Sequence, residues 1–209
     1  MSTAVKERPI LFSAPMVRAI LAGDKTQTRR VAKPVKHPDL GNIYTPGALV
    51  LEHEPHHVIE RACPYGCPGD RLWVKETHMA WWKIDPQNPR GPRLFSHVAA
   101  FAADGYQLED SERWIPSIHM RRAASRILLE ITGVRVERLQ DITDADIEAE
   151  GIDMDVLLAA QDSYDIIAKD GNATGRPTLR SAWRDLWEST GGSWAANPWV
   201  WVVEFRRIA

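Results

Sequence analysis

Three segments of the chain gather residue types that do chemistry: GDKTQTRR (residues 23–30), PGDRLWVKE (residues 68–76) and LQDITDADIEAEG (residues 139–151). Between them they supply two lysines, threonine hydroxyls, arginines and carboxylates, the groups that move protons and hold polar or anionic ligands. They lie far apart in sequence, so only a fold can assemble them. A metal centre is the other chemistry to test. Cys63 and Cys67 stand four apart in CPYGC, where Pro64 and Gly66 point to a tight turn rather than a disulfide framework. His53, His56 and His57 lie upstream, but the combined spacing matches no standard zinc pattern, so no metal and no cofactor is expected. Trp81, Trp82 and Trp114 fall in an irregular stretch, where aromatic rings either stack on bases or pack the stretch against its neighbours.

The elements that must position these residues can be read locally. Ser13-Ala14-Pro15 followed by MVRAILAG has a serine cap, a proline in the first turn and Gly23 past the end, so a short helix is expected. After Gly23 the period changes to two. A strand here sends Thr28 and Arg30 to one face and Arg29 to the other. Residues 48–53 are a candidate strand, and the Pro-Gly-Asp turn at Pro68 launches a better one, with Leu72 and Val74 on one face and Trp73 on the other. Residues 78–117 read as a long decorated insertion. Residues 126–138 suggest one bent strand or two short ones. Thr143-Asp144-Ala145-Asp146 resembles a capping box, closed by Gly151, and a second helix is expected over residues 153–168. Residues 170–176 read as a polar turn. Leu179, Trp183, Leu186 and Trp187 keep helical spacing up to Gly191-Gly192, and Trp199, Trp201, Val203 and Phe205 share one face of a last strand.

Composition narrows the function classes. In 209 residues, 44% hydrophobic and 26% charged residues are ordinary for a globular protein, which argues against disorder and against a membrane role. Lys and Arg number 26 against 28 Asp and Glu, a formal net charge of −2 that argues against a coat for long phosphate backbones. A nucleotide or a short single strand remains compatible. No apolar run approaches a membrane span, and residues 1–8 lack the order of a signal peptide, so a cytoplasmic location is expected.

The Gly-x-Lys-x-x-Thr-x-Arg run at Gly23 to Arg30 resembles the signature of ASCH domains (activating-signal-cointegrator homology). Gly69-Asp70-x-Leu72-x-Val74 resembles their following strand, and Val202-Val203-Glu204-Phe205-Arg206 their closing one. Residues 9–30, CPYG with PGDRLWV, and NPWVWVVEF are also similar to a longer subfamily of phage and prophage proteins. The resemblance implies an α+β fold of PUA-like type, a small mixed β-barrel surrounded by short helices. It implies one domain over residues 1–209, with insertions at about 78–117 and 152–178. Compact bacterial members are amidohydrolases that deacetylate N4-acetylcytidine with a Lys, a Thr and a Glu. Carried over, these fall on Lys25, Thr28 and Glu150, with Glu148 the alternative acid; Arg30, Arg29, Glu76 and Trp73 become candidate substrate contacts. The implied partner is a modified nucleoside or a short single-stranded RNA. A non-catalytic RNA- or nucleotide-binding module and an ASCH-type ribonuclease are the rival functions.

The chemistry places demands on those groups. A threonine hydroxyl is a poor nucleophile near neutral pH and needs a base within hydrogen-bond reach. Lys25 serves only if burial lowers its pKa, whereas a neighbouring Glu150 raises it, so the sequence does not assign the roles of base and acid within the pair. Each residue also has a plainer reading. Lys25 beside a helix end complements its dipole. Thr28 is simply a strand former, Arg29 and Arg30 surface charges, and Glu150 an exposed carboxylate of an acidic helix that opposes the dipole by about a few tenths of a kcal/mol. Glu76 as one half of a surface ion pair is likewise the plain alternative. Trp73, Trp183, Trp187, Trp199 and Trp201 sit on regular spacing and are expected in the core.

Overall fold

The computed structural model describes residues 4–168 and 175–209, so most of the polar turn expected over residues 170–176 lies outside the described residues. The first half of the chain runs through β1 (Glu7–Leu11), α1 (Ala14–Ala22), β2 (Gln27–Val31), β3 (Val35–Lys36), β4 (Ile43–Tyr44), α2 (Pro46–Leu51), α3 (His56–Ala62) and β5 (Arg71–Lys75). The second half adds β6 (His78–Lys83), β7 (Leu94–Phe101), β8 (Leu128–Arg138), α4 (Asp144–Ala149), α5 (Met154–Ala168), α6 (Leu179–Ser189) and β9 (Trp199–Arg207). The class is mixed α+β. Among the described residues no helix is long and apolar enough to cross a membrane.

Local chemistry accounts for most of the boundaries. Ser13 starts α1 in extended conformation with proline in the first turn, and Gly23 ends it at φ 95°, a left-handed geometry that glycine adopts without strain. Thr143 Oγ1 accepts from Asp146 N (3.2 Å) and starts α4. The strand expected over residues 48–53 is instead α2 and the turn that ends it. Thr45 accepts from Ala48 N and Pro46 occupies the first helical turn, a start signal that outweighs the apolar run behind it. Two of the histidines upstream of the cysteines, His56 and His57, open α3, and His56 sits 3.2 Å from Glu60 one turn on.

Five strands form one sheet in the order β1-β5-β8-β9-β2. The β1–β5 pair is parallel and the others antiparallel. A register shift between Ile131 and Gly133 bends β8, so residues 128–138 are one bulged strand. Inward residues of four strands, including Ile10, Leu72, Val74, Leu129, Ile131, Trp201, Val203 and Phe205, meet in one cluster, which shows the sheet curling around its core. Its edges β1 and β2 are not joined by strand pairing among the described residues, so the closed barrel expected from the sequence is absent. The edges approach through a side chain: Arg30 Nη2 donates to the Leu11 carbonyl (2.6 Å).

Both faces of β9 are covered. Trp201, Val203 and Phe205 enter the first cluster, while Val200 and Val202 join Leu139, Ile142, Ile147, Trp183 and Trp187 in a second one beneath α4 and α6. Of the tryptophans expected in the core, Trp183, Trp187 and Trp201 are buried, whereas Trp73 and Trp199 are half-buried. The 78–117 insertion is built on a β6–β7 hairpin with two register shifts. Trp81 and Trp82 on this hairpin are exposed, at 56% and 37% of their surface.

Candidate functional site

Strand β2 sorts the signature residues by face. Thr28 and Arg30 pair with Val203 and Trp201, on the side of the main core; Gln27 and Arg29 pair with Glu204 and Val202, on the side covered by α4. Ahead of the strand, Lys25 forms a backbone bridge with Glu150, and Thr26 N donates to the Ala149 carbonyl (2.9 Å). This bridge brings the end of α4 against the start of β2, across 125 positions of sequence. Gly151 makes the approach possible. It holds φ 78°, and a Cβ there would stand 2.9 Å from Lys25 Cβ and 2.8 Å from Ala19 Cβ.

At the junction Lys25 Nζ donates to Glu150 Oε2 (2.7 Å) and to the Glu150 carbonyl (2.8 Å), with side-chain exposures of 0% and 2%. Arg29 Nη1 donates to the other carboxylate oxygen at 3.1 Å. Removing these charges from water costs several kcal/mol each, roughly, and the arrangement persists because both carboxylate oxygens receive charge-assisted hydrogen bonds. Burial lowers the Lys25 pKa below the ordinary lysine value; Glu150 works against that shift, and the Arg30 and Arg29 charges add to it. Glu148, two residues earlier and so on the outer side of α4, is exposed, and the carboxylate that meets Lys25 is Glu150.

Arg29 is a brace within this assembly. Its side chain is fully buried, and its Nη2 lies 2.6 Å from Glu137 Oε1 and 3.2 Å from Asp146 Oδ2. Gln27 Nε2 (2.9 Å) and Arg135 Nη2 (2.9 Å) also donate to Asp146. Burial alone would raise the Asp146 pKa, but hydrogen bonds from Gln27 and Thr143 and the charges of Arg29 and Arg135 hold it at about 2. The Arg29 guanidinium is thus committed to three carboxylates, Glu137, Asp146 and Glu150.

On the core side, Thr28 is buried, and among the described residues its hydroxyl has no hydrogen-bond partner. The Lys25 donors are spent on Glu150 instead. Arg30 lies over the Phe12 ring (5.3 Å) with Lys25 Nζ 5.7 Å from the same ring, and Arg30 Nε is buried without a partner. Lys25 and Arg29 thus hold the Glu150 carboxylate, and Arg30 adds a third positive charge on the core side of the strand, an environment suited to developing negative charge.

The remaining candidates lie apart from this centre. Glu76 is buried, but both its oxygens are held by Arg126 at 3.0 Å, and Arg126 also binds Asp104. It is the buried half of an ion pair. Trp73 stands on the face of β5 opposite Leu72 and Val74, with Lys75 over its ring, and two strands separate β5 from β2. Cys63 is buried, which pushes its thiol up to about 11; the Cys67 thiol contacts Asp70. Among the described residues no group of three or more His, Cys, Asp or Glu is arranged to hold a metal.

Sequence reasoning missed Arg126, which no local pattern flags, and two cavities. One of about 280 Å³ lies under the β6–β7 hairpin, and one of about 230 Å³ adjoins Arg8, Cys63 and Cys67. Comparison of the chain with protein-family models, with curated proteins and with solved structures gives no match.

Proposed function

We propose that the chain is an ASCH-like, PUA-related protein that hydrolyses the amide of an N4-acylated cytidine, with Lys25, Thr28 and Glu150 as its catalytic set. The observation that carries the reading is the buried contact between Lys25 and Glu150, made by segments that have no reason from local sequence to meet. Neutral Lys25 takes the Thr28 hydroxyl proton as the oxygen bonds to the acyl carbon. Arg30 faces the oxyanion that forms. The proton then passes from the Lys25–Glu150 pair to N4 as the C–N bond breaks, and water, deprotonated by the same pair, releases the acid from Thr28. The reading calls for no metal or cofactor. Access requires the Arg30 guanidinium to leave the Leu11 carbonyl, which opens the seam between the two sheet edges.

One observation favours a second reading, a module that binds a nucleoside or a short single strand without cutting it. Lys25 already gives donors to Glu150, and no hydrogen bond joins it to Thr28. A screen of purified protein against acylated and unmodified nucleosides, read by mass spectrometry, separates the two. Release of acetate from N4-acetylcytidine, lost in Glu150→Gln, is expected. Binding of cytidine derivatives with no acid released across a broad pH range would establish the module instead.

A further inference from the structure

The 78–117 insertion takes no part in the chemistry above, yet with the segment just after it, it walls a cavity of about 280 Å³ lined by His78, Trp82, Phe95, Ile115, His119 and Arg121. That volume is near the lower limit of small-ligand sites, room for one nucleoside-sized molecule and not for a duplex. The walls are built rather than incidental. Reciprocal backbone hydrogen bonds between His78 and Ile115 (3.2 and 2.7 Å) fix two sides of the cavity to each other. Trp82 meets the edge of Phe95 at 5.9 Å, and the Arg121 guanidinium stands over the Trp82 ring at 5.5 Å.

His78 has a defined orientation. It is buried, and its Nδ1 lies 3.1 Å from the Glu76 carbonyl, which only accepts, so Nδ1 carries the proton. In the neutral ring Nε2 is then an acceptor, and among the described residues it has no partner. The charge of the walls is one-sided. Arg121 and His119 line the cavity, no carboxylate does, and the nearby Glu76 side chain is neutralised by Arg126.

We propose that this cavity is a nucleotide-binding site. It takes one nucleoside monophosphate whose base packs on Trp82 and donates an N–H to His78 Nε2, and whose phosphate is held by Arg121 and His119. Aromatic faces beside a planar cation hold bases of any sequence, and the cationic wall selects the phosphorylated form. The site lies between the insertion and the segment that follows it, which carries His119 and Arg121, and it shares no lining residue with the Lys25–Glu150 centre.

The test is isothermal titration of the full chain with CMP, AMP, cytidine and inorganic phosphate. Saturable 1:1 binding of at least one of CMP and AMP is expected, with cytidine and phosphate each weaker. Arg121→Glu and Trp82→Ala, both at exposed positions, each weaken nucleotide binding at least tenfold. No saturable binding at millimolar nucleotide overturns the proposal, as does affinity that survives either substitution, or phosphate alone binding as tightly as the nucleotide. Affinity abolished by Lys25→Arg but retained in Arg121→Glu overturns it as well, by moving the ligand to the other site.

Discussion

Glu150 accepts from both Lys25 and Arg29 in a volume nearly closed to water, and the energetic consequence is asymmetric. Keeping the pair adds little net stability, whereas deleting the carboxylate strands a buried ammonium. Glu150→Ala is expected to cost about 3–5 kcal/mol in urea unfolding, because Lys25 loses its ionic partner while Arg29 retains Glu137 and Asp146. A loss below about 1 kcal/mol would mean that water reaches the pair. The lowered Lys25 pKa carries its own signature. A base must be neutral to work, so kcat/KM should rise with pH on a limb centred below the ordinary lysine value; a limb at that value would contradict the assignment. Because the unfolded chain binds the Lys25 proton more tightly, stability should also rise with pH between the folded and unfolded pKa values.

At the scale of elements, the junction of α4 with β2 depends on a position without a side chain. Gly151→Ala places a Cβ against Ala19 and Lys25 at φ 78°, so unfolding free energy should fall by about 1–3 kcal/mol. Hydrolysis should fall further than stability alone explains, since Lys25 is displaced; equal activity per folded molecule would show that the junction does not position it. The elements legible in the sequence were those with end signals: the Ser13 and Gly23 boundaries of α1, Thr143 before α4, and the two-sided apolar pattern of β9. Where patterns compete the reading failed. The apolar run of α2 resembles a strand until the Thr45-Pro46 start is weighed, and the β6–β7 hairpin is hidden because its register shifts break the alternation.

For the whole molecule, a curled sheet with both faces of β9 covered predicts that buried groups react only on unfolding. Cys63, raised to about 11 by burial, should resist alkylation at pH 8 and become labelled at the midpoint of the unfolding transition, read by mass spectrometry. Labelling well before that midpoint would place α3 in a region that opens on its own. The candidate site was legible only through a resemblance of motifs. Nothing in spacing brings Lys25 to Glu150, and the commitments of Arg29 and Arg126 arise from tertiary approach that one-dimensional pattern does not encode. The central claim, that the Lys25–Glu150 pair activates Thr28, is tested most directly by acetate release from N4-acetylcytidine, assayed side by side in the natural protein, Thr28→Ala and Lys25→Arg. Thermal melts confirm that each variant folds. The account predicts turnover by the natural protein and none by either variant, with ligand affinity nearly unchanged in Thr28→Ala, because the hydroxyl acts in the transition state and arginine does not release its proton. Full hydrolysis by Thr28→Ala would contradict it and assign the attack to water or another side chain.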